Sequence, residues 1–142
     1  MSDERPPASV ATHGQSLTAR ISNTIVALHK QYYGKGPTKA RTVFRDDLIV
    51  VLLRGGFTKV EETLLAGGRA GAVLNQRLEF QSAMRDRYAE AISDLTGRTV
   101  IGFMSGNQAD PPMMVEVFVL APDPAAPDGA APDGAAPDPA EY

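Results

Sequence analysis

Six consecutive aliphatic residues, Leu48 to Leu53 (LIVVLL), constrain this chain of 142 residues more than any other stretch. A run so continuous does not alternate between water and core. As a β-strand it requires cover on both faces, from helices on one side and from something else, such as a partner subunit, on the other. Just upstream, Arg41, Thr42, Val43 and Phe44 are β-branched or aromatic enough for a second strand. Asp46-Asp47 between the two predicts a tight hairpin turn, because aspartate tolerates left-handed backbone. Beyond the aliphatic run, Gly55-Gly56 frees the backbone. Thr58 then precedes Glu61 by three residues, a capping box that starts a helix and sets negative charge at its positive end.

The remaining elements follow from periodicity. Leu17, Ile21, Ile25, Leu28 and Tyr32, with Thr24 beside them, form one apolar stripe and predict a helix from Ser16 to Gly34; Arg20, Asn23, His29 and Lys30 fall off the stripe. The helix begun at Thr58 pauses at Gly67-Gly68. A longer helix is predicted from Arg69 to Thr96, about 40 Å at 1.5 Å per residue, long enough to overhang the domain and meet a partner. Val73, Leu74, Leu78, Met84, Tyr88, Ile92 and Leu95 mark its buried stripe, Phe80 stands to one side, and Arg77 is placed in solvent. Gly97 is the expected C-cap. Thr99 to Met104 and Met113 to Leu120 read as a second hairpin, joined by a loop over residues 105–112. Glu116 shares a face with Met114, Phe118 and Leu120, which makes it an edge position, a partner of an arginine such as Arg41, or an interface residue.

Charge divides the chain. Residues 15–122 carry thirteen Lys and Arg against ten Asp and Glu, whereas residues 123–142 carry five acids and no base. The body is therefore mildly basic and the end acidic, with less basic excess than a dedicated nucleic-acid binder shows. Pro-Asp recurs at 122, 127, 132 and 137 among alanine and glycine, which builds no core. The domain expectation is a disordered lead over 1–14, one α+β domain over 15–121, and a disordered acidic tail over 122–142. The chain contains no cysteine, which removes disulfides, thiolate nucleophiles and cysteine zinc sites. With no apolar leader and no run near the ~20 residues of a membrane span, the expectation is a soluble, cytoplasmic protein without membrane insertion.

Few residues offer chemistry. His13 lies in the lead, and His29 reads as an exposed, non-functional helix residue. Asp46-Asp47 lacks the further oxygen ligands that calcium or magnesium takes. Gly34-Lys35-Gly36-Pro37-Thr38-Lys39 invites a phosphate-loop reading, but it follows a helix and enters a strand, the reverse of that motif's order, and so reads as a connector. A basic cluster of Lys35, Lys39, Arg41 and Arg45 near Tyr32, Tyr33 and Phe44 makes contact with nucleic acid or a nucleotide the alternative reading. Asn107 with Asp110-Pro111 could form a small polar site, and is equally ordinary turn chemistry. The candidate binding residues are thus Lys35, Gly36, Pro37, Thr38, Lys39, Arg41, Arg45, Asn107 and Asp110. No catalytic residue, metal or cofactor is expected.

The sequence ARISNTIVALHKQYYGKGPTKARTVFRDDLIVVLLRGGFTKVEETLLAGGR, then FQSAMRDR, then LTGRTVIGFMSGNQADPPMMVEVFVL, resembles a family of short prokaryotic proteins. This is the C component of a sodium-translocating, membrane-potential-generating system (MpsC-like). The resemblance spans about Leu17 to Leu120. It rests on the Gly-Pro-Thr-Lys loop, the Arg-Asp-Asp-Leu turn and the final Val-Glu-Val-Phe-Val-Leu strand. It implies association with an ion- or bicarbonate-transport system as an accessory. The family's second hairpin carries Asp-Asn-His followed by Asp-Pro-Asp; here Gly106, Gln108 and Pro112 replace the first Asp, the His and the last Asp. Only Asn107, Asp110 and Pro111 carry over, so the resemblance implies no metal-ligand or general-base role for this loop.

Together these readings predict a two-layer α/β sandwich in the order α-β-β-α-α-β-β, with a four-stranded, mainly antiparallel sheet and helices chiefly on one face. Met114, Phe118 and Leu120 with the aliphatic strand are expected to exceed what one helical layer hides, which predicts a homodimer or higher homo-oligomer. The expected function is that of a non-catalytic interaction module with a membrane-system protein as its possible partner.

Overall fold

The computed structural model describes residues 14–123. The lead before Gly14 and the tail beyond Asp123 lie outside the described residues.

The first helix, α1 (Leu17–Tyr33), starts at Ser16, whose hydroxyl accepts from the Ala19 N–H at 3.1 Å, and ends at Gly34 with φ 96°. Its buried residues are Ile21, Ile25 and His29, while Tyr32 is 45 % exposed. The stripe therefore runs on through His29, contrary to the expectation that this histidine faces solvent. The reason is geometric: His29 follows Ile25 by four residues, and the rings of Tyr33 and Phe80 close over it at 5.1 and 5.2 Å.

Strands β1 (Lys39–Arg45) and β2 (Leu48–Arg54) pair antiparallel from Lys39↔Arg54 to Arg45↔Leu48. Asp46 makes the turn with φ 56°, as its short carboxylate side chain permits. Behind the hairpin, Gly55 and Gly56 carry φ 75° and 84°. A Cβ on Gly56 would lie 2.6 Å from the Gly36 carbonyl oxygen, so the two loops at this end pack too closely for any side chain. Helix α2 (Lys59–Ala66) begins with the complete Thr58–Glu61 capping box.

The long helix expected over Arg69 to Thr96 is two helices, α3 (Ala70–Ala83) and α4 (Arg85–Thr96). At the joint the buried Met84 takes φ −87° and ψ −3°, and its N–H bonds both the Phe80 and Gln81 carbonyls, at 3.0 and 3.2 Å. A straight rod would overrun a four-stranded sheet roughly 20 Å wide. Broken here, α3 lies along the β3 side of the sheet and α4 packs against α1. The observed order is α-β-β-α-α-α-β-β.

Strands β3 (Val100–Ala109) and β4 (Pro112–Leu120) meet at a turn of two residues, Asp110 and Pro111, joined by a cis bond. Ser105 to Ala109, expected in a loop, instead extend β3, because each pairs with β4. The sheet order is β1-β2-β4-β3, antiparallel throughout, so each hairpin contributes one edge and one central strand. Arg98 ties the two together, donating to the Asp46 carbonyl at 2.8 Å and the Ala121 carbonyl at 2.9 Å.

The described helices lie on one face of the sheet. Ile49, Val51 and Leu53 are 0, 0 and 1 % exposed beneath them, whereas Leu48 is 42 % exposed and Val50 and Leu52 are half-buried. The aliphatic strand is thus covered on one side only within a single chain. Met114, Phe118 and Leu120 also lie on the helix side; the residues left on the other are Met113, Val115, Val117 and Val119. The expectation had the wrong set of β4 residues uncovered, because the register of β4 against β2 decides which alternate side chains meet the helices.

Candidate functional site

Beneath the helices runs a buried polar stripe. On α3 the buried residues are Val73, Arg77 and Gln81, four apart and therefore on one face. Arg77 was expected in solvent. It is buried because Glu61 on α2 stands opposite: Arg77 Nε and Nη2 donate to the two carboxylate oxygens at 2.7 and 2.8 Å. Nη2 also donates to the Gly56 carbonyl at 3.1 Å and Nη1 to the Met114 sulfur at 2.8 Å. The Phe57 and Tyr33 rings lie 4.8 and 5.1 Å from the guanidinium carbon. The Tyr33 hydroxyl donates to Glu61 and accepts from Gln76 Nε2 at 2.8 Å.

Electrostatics follow from this packing. Burial alone would raise the Glu61 pKa, but Arg77, the Tyr33 hydroxyl and the Thr58 N–H together hold it below the usual carboxylate range. Burial lowers His29 to about 4, helped by the Arg77 charge, so its ring is neutral at pH 7. Tyr33 is pushed up by burial and by Glu61.

One turn further along α3, Gln81 Nε2 donates to Glu116 at 2.9 Å, and Gln81 Oε1 accepts from Asn107 Nδ2 at 2.7 Å. The Ser105 hydroxyl donates to the other Glu116 oxygen at 2.5 Å. Glu116 therefore sits on a central strand among neutral partners, neither at an edge nor paired with Arg41, whose side chain lies on the opposite face of the sheet. Burial raises its pKa to about 7 despite these two bonds, and its charge in turn helps to raise that of buried Tyr88. A carboxylate poised near 7 is what general acid–base chemistry uses. Glu116 and Glu61 are, however, both 0 % exposed, so a substrate has no contact with either. The raised value reports burial, and the stripe is a structural network.

The residues nominated from sequence fall into three places. Thr38 closes the first hairpin, its N–H and hydroxyl both donating to the Arg54 carbonyl at 2.8 and 3.1 Å, while Gly36 and Pro37 pack under Gly56 and Lys35 is exposed. This supports the connector reading of that loop. Asn107 belongs to the buried Glu116 network, whereas Asp110 stands exposed at the hairpin tip, so the two do not share a site. Lys39, Arg41 and Arg45 line up along β1 on the uncovered sheet face. Arg54, which the sequence reading did not nominate, joins them through its register opposite Lys39.

That face is ordered in four cross-strand rows. The first is Lys39, Arg54, Met113 and Gln108; the second Arg41, Leu52, Val115 and Gly106. The third is Val43, Val50, Val117 and Met104; the fourth Arg45, Leu48, Val119 and Gly102. The centre is wholly apolar, with Val43 48 % and Met104 58 % exposed. Lys39, Arg41, Leu52 and Arg54 line a shallow cavity of about 250 Å³ at one corner, and the register gives these cations no acidic cross-strand neighbour. The arrangement suits a ligand or partner with an apolar body and a negative group at one edge.

Fold and surface together define a two-layer α+β domain with an open, basic-edged sheet. The chain belongs to the MpsC family of the Na+-translocating membrane potential-generating system, whose model matches residues 13–122. No curated protein and no solved structure matches it. Among the described residues no helix is long and apolar enough to cross a membrane, and no group of His, Cys, Asp and Glu is placed to hold a metal ion.

Proposed function

We propose that this chain is a non-catalytic accessory module of a membrane ion-transport system, acting through protein contact from the cytoplasmic side. The uncovered sheet face carries this reading. Valine, leucine and methionine side chains fill the third row from edge to edge and the two central strands of the second, and an exposed apolar face of this extent marks an association surface. The family description supports the link to a transport system. A photo-crosslinking amino acid at Val43 in native cells tests it, with the same group at exposed Glu90 on α4 as control. The expected result is a protein adduct specific to Val43. Adducts no more abundant than at Glu90 would overturn the reading.

The corner cavity lined by Lys39, Arg41 and Arg54 favours a second reading, a nucleic-acid or nucleotide-binding regulator. That reading expects oligonucleotide retention that falls with salt and is weakened by Lys39→Glu with Arg41→Glu. An absence of retention at low salt would end it.

A further inference from the structure

We propose that the open sheet face is the interface of a twofold dimer in which β1 of one copy lies over β3 of the other. This deepens the protein-contact reading above by naming the occupant of that face as a second copy of this chain. A face-to-face pair has two simple choices of twofold axis, and the rows separate them.

An axis across the strands stacks β1 on β1. It also reverses the row order, so Lys39 of one copy meets Arg45 of the other and Arg41 meets Val43 between them, and such like-charge juxtaposition disfavours the pair. An axis along the strands, between β2 and β4, keeps each row level and exchanges its ends. Every row then meets itself reversed, with Lys39 over Gln108 and Arg54 over Met113 in the first. Val50 meets Val117, and Leu52 meets Val115. Val43 at one edge meets Met104 at the other.

The two β1 arginines meet the glycines of β3, Arg41 over Gly106 and Arg45 over Gly102. Those glycines bring the edge down to the level of Val115 and Val119: a Cβ on either would lie 3.3 Å from the valine beside it. Long arginine side chains therefore have room to lie flat. The same axis carries the exposed Asp110 tip of the second copy over the corner where Lys39 and Arg54 line the cavity, so an acid reaches these cations. Four strands and four rows give a projected face of about 500 Å² per copy, so closure buries about 1,000 Å² or more, the size at which specific interfaces begin.

The absence of cysteine makes the test clean. Val43→Cys and Met104→Cys are prepared as separate full-length variants at exposed positions, mixed, and treated with a short bis-maleimide that spans about 10 Å, the spacing of stacked sheets. In the proposed pair Val43 of one copy stands a further three strand spacings, about 14 Å, to the side of Val43 of the other, beyond the reach of that reagent. The expected result is a crosslinked dimer in the mixture and little in either variant alone. Light scattering of the unmodified chain should give a dimer at micromolar concentration, and Val43→Asp, with unchanged circular dichroism, should weaken it roughly tenfold or more through an unpaired buried carboxylate. A monomer at about 100 µM, or Val43→Cys linking efficiently to itself, would overturn the proposal. A filament rather than a closed dimer would do so too, since it indicates head-to-tail edge pairing. A monomer that still crosslinks from Val43 to a different protein in cells would remove the dimer and leave the protein-contact reading standing.

Discussion

Replacing Arg77 by methionine separates the electrostatic role of the buried stripe from its packing role, because methionine keeps much of the volume and none of the charge. The substitution removes two hydrogen bonds to Glu61, one to the Gly56 carbonyl and the contact with the Met114 sulfur. It leaves the Glu61 carboxylate 0 % exposed, with only the Thr58 N–H and the Tyr33 hydroxyl as donors. Two unit charges about 4 Å apart at an effective dielectric of about 20 interact by about 4 kcal/mol, and breaking one side of a buried pair costs about 3–5 kcal/mol. The expected destabilisation is therefore about 4 kcal/mol, a large part of the roughly 5–15 kcal/mol that holds a domain together. It corresponds to a fall in Tm of roughly 15–25 °C.

Glu61→Gln alone leaves the guanidinium buried without its counter-charge and should cost a similar amount, although glutamine still serves the capping box. The double variant carries neither charge. It should be less destabilised than the sum of the singles by about 3 kcal/mol, because removing both ions of a buried pair is far milder than removing one. Urea unfolding followed by circular dichroism measures all four proteins as a cycle. Arg77→Met within about 1 kcal/mol of the parent, or singles that add within about 0.5 kcal/mol, would refute the assignment of the stripe as a coupled ion pair.

Three further outcomes follow from the same structure. Glu116 has a folded pKa of about 7, above its unfolded value of 4.5, so it favours the fold when protonated and withdraws up to about 3 kcal/mol as pH rises from 4.5 through 7. Glu116→Gln should therefore gain stability relative to the parent at pH 8 and lose that advantage at pH 4.5, and a difference independent of pH would contradict it. His29 works in the opposite sense: depressed from 6.5 to about 4, it must charge as pH falls through that window, so His29→Leu should flatten the acid-side loss of stability seen by thermal melting at pH 4 to 6.5. Gly56→Ala combines φ 84° with a 2.6 Å approach to the Gly36 oxygen and should cost about 2 kcal/mol or more in denaturant unfolding, whereas Gly71→Ala, with open space around it, should not.

What the sequence determined by itself was local. The Asp46-Asp47 turn, the Thr58–Glu61 cap, the stops at Gly34 and Gly97 and the pause at Gly67-Gly68 each depend on the conformational chemistry of a few adjacent residues, and each stands in the structure. The α+β class with one antiparallel sheet followed from the same reading, whereas the expectation that the Leu48–Leu53 strand is covered on both faces meets a strand buried on the helix side alone. The polar stripe was not legible, because a charged residue reads as solvated until its partner is in place. Arg77 did carry a signal, lying in helical phase with Val73, Met84 and Tyr88, but Glu61 sits on a different helix and only the packing of α2 against α3 brings them together. Tertiary structure likewise decided that β4 enters the centre of the sheet. That pairing buries Glu116, sends Met114 and Phe118 inward, and leaves Val115 and Val117 on the face the helices do not cover, since a strand's two sides are equivalent until its neighbours fix the register.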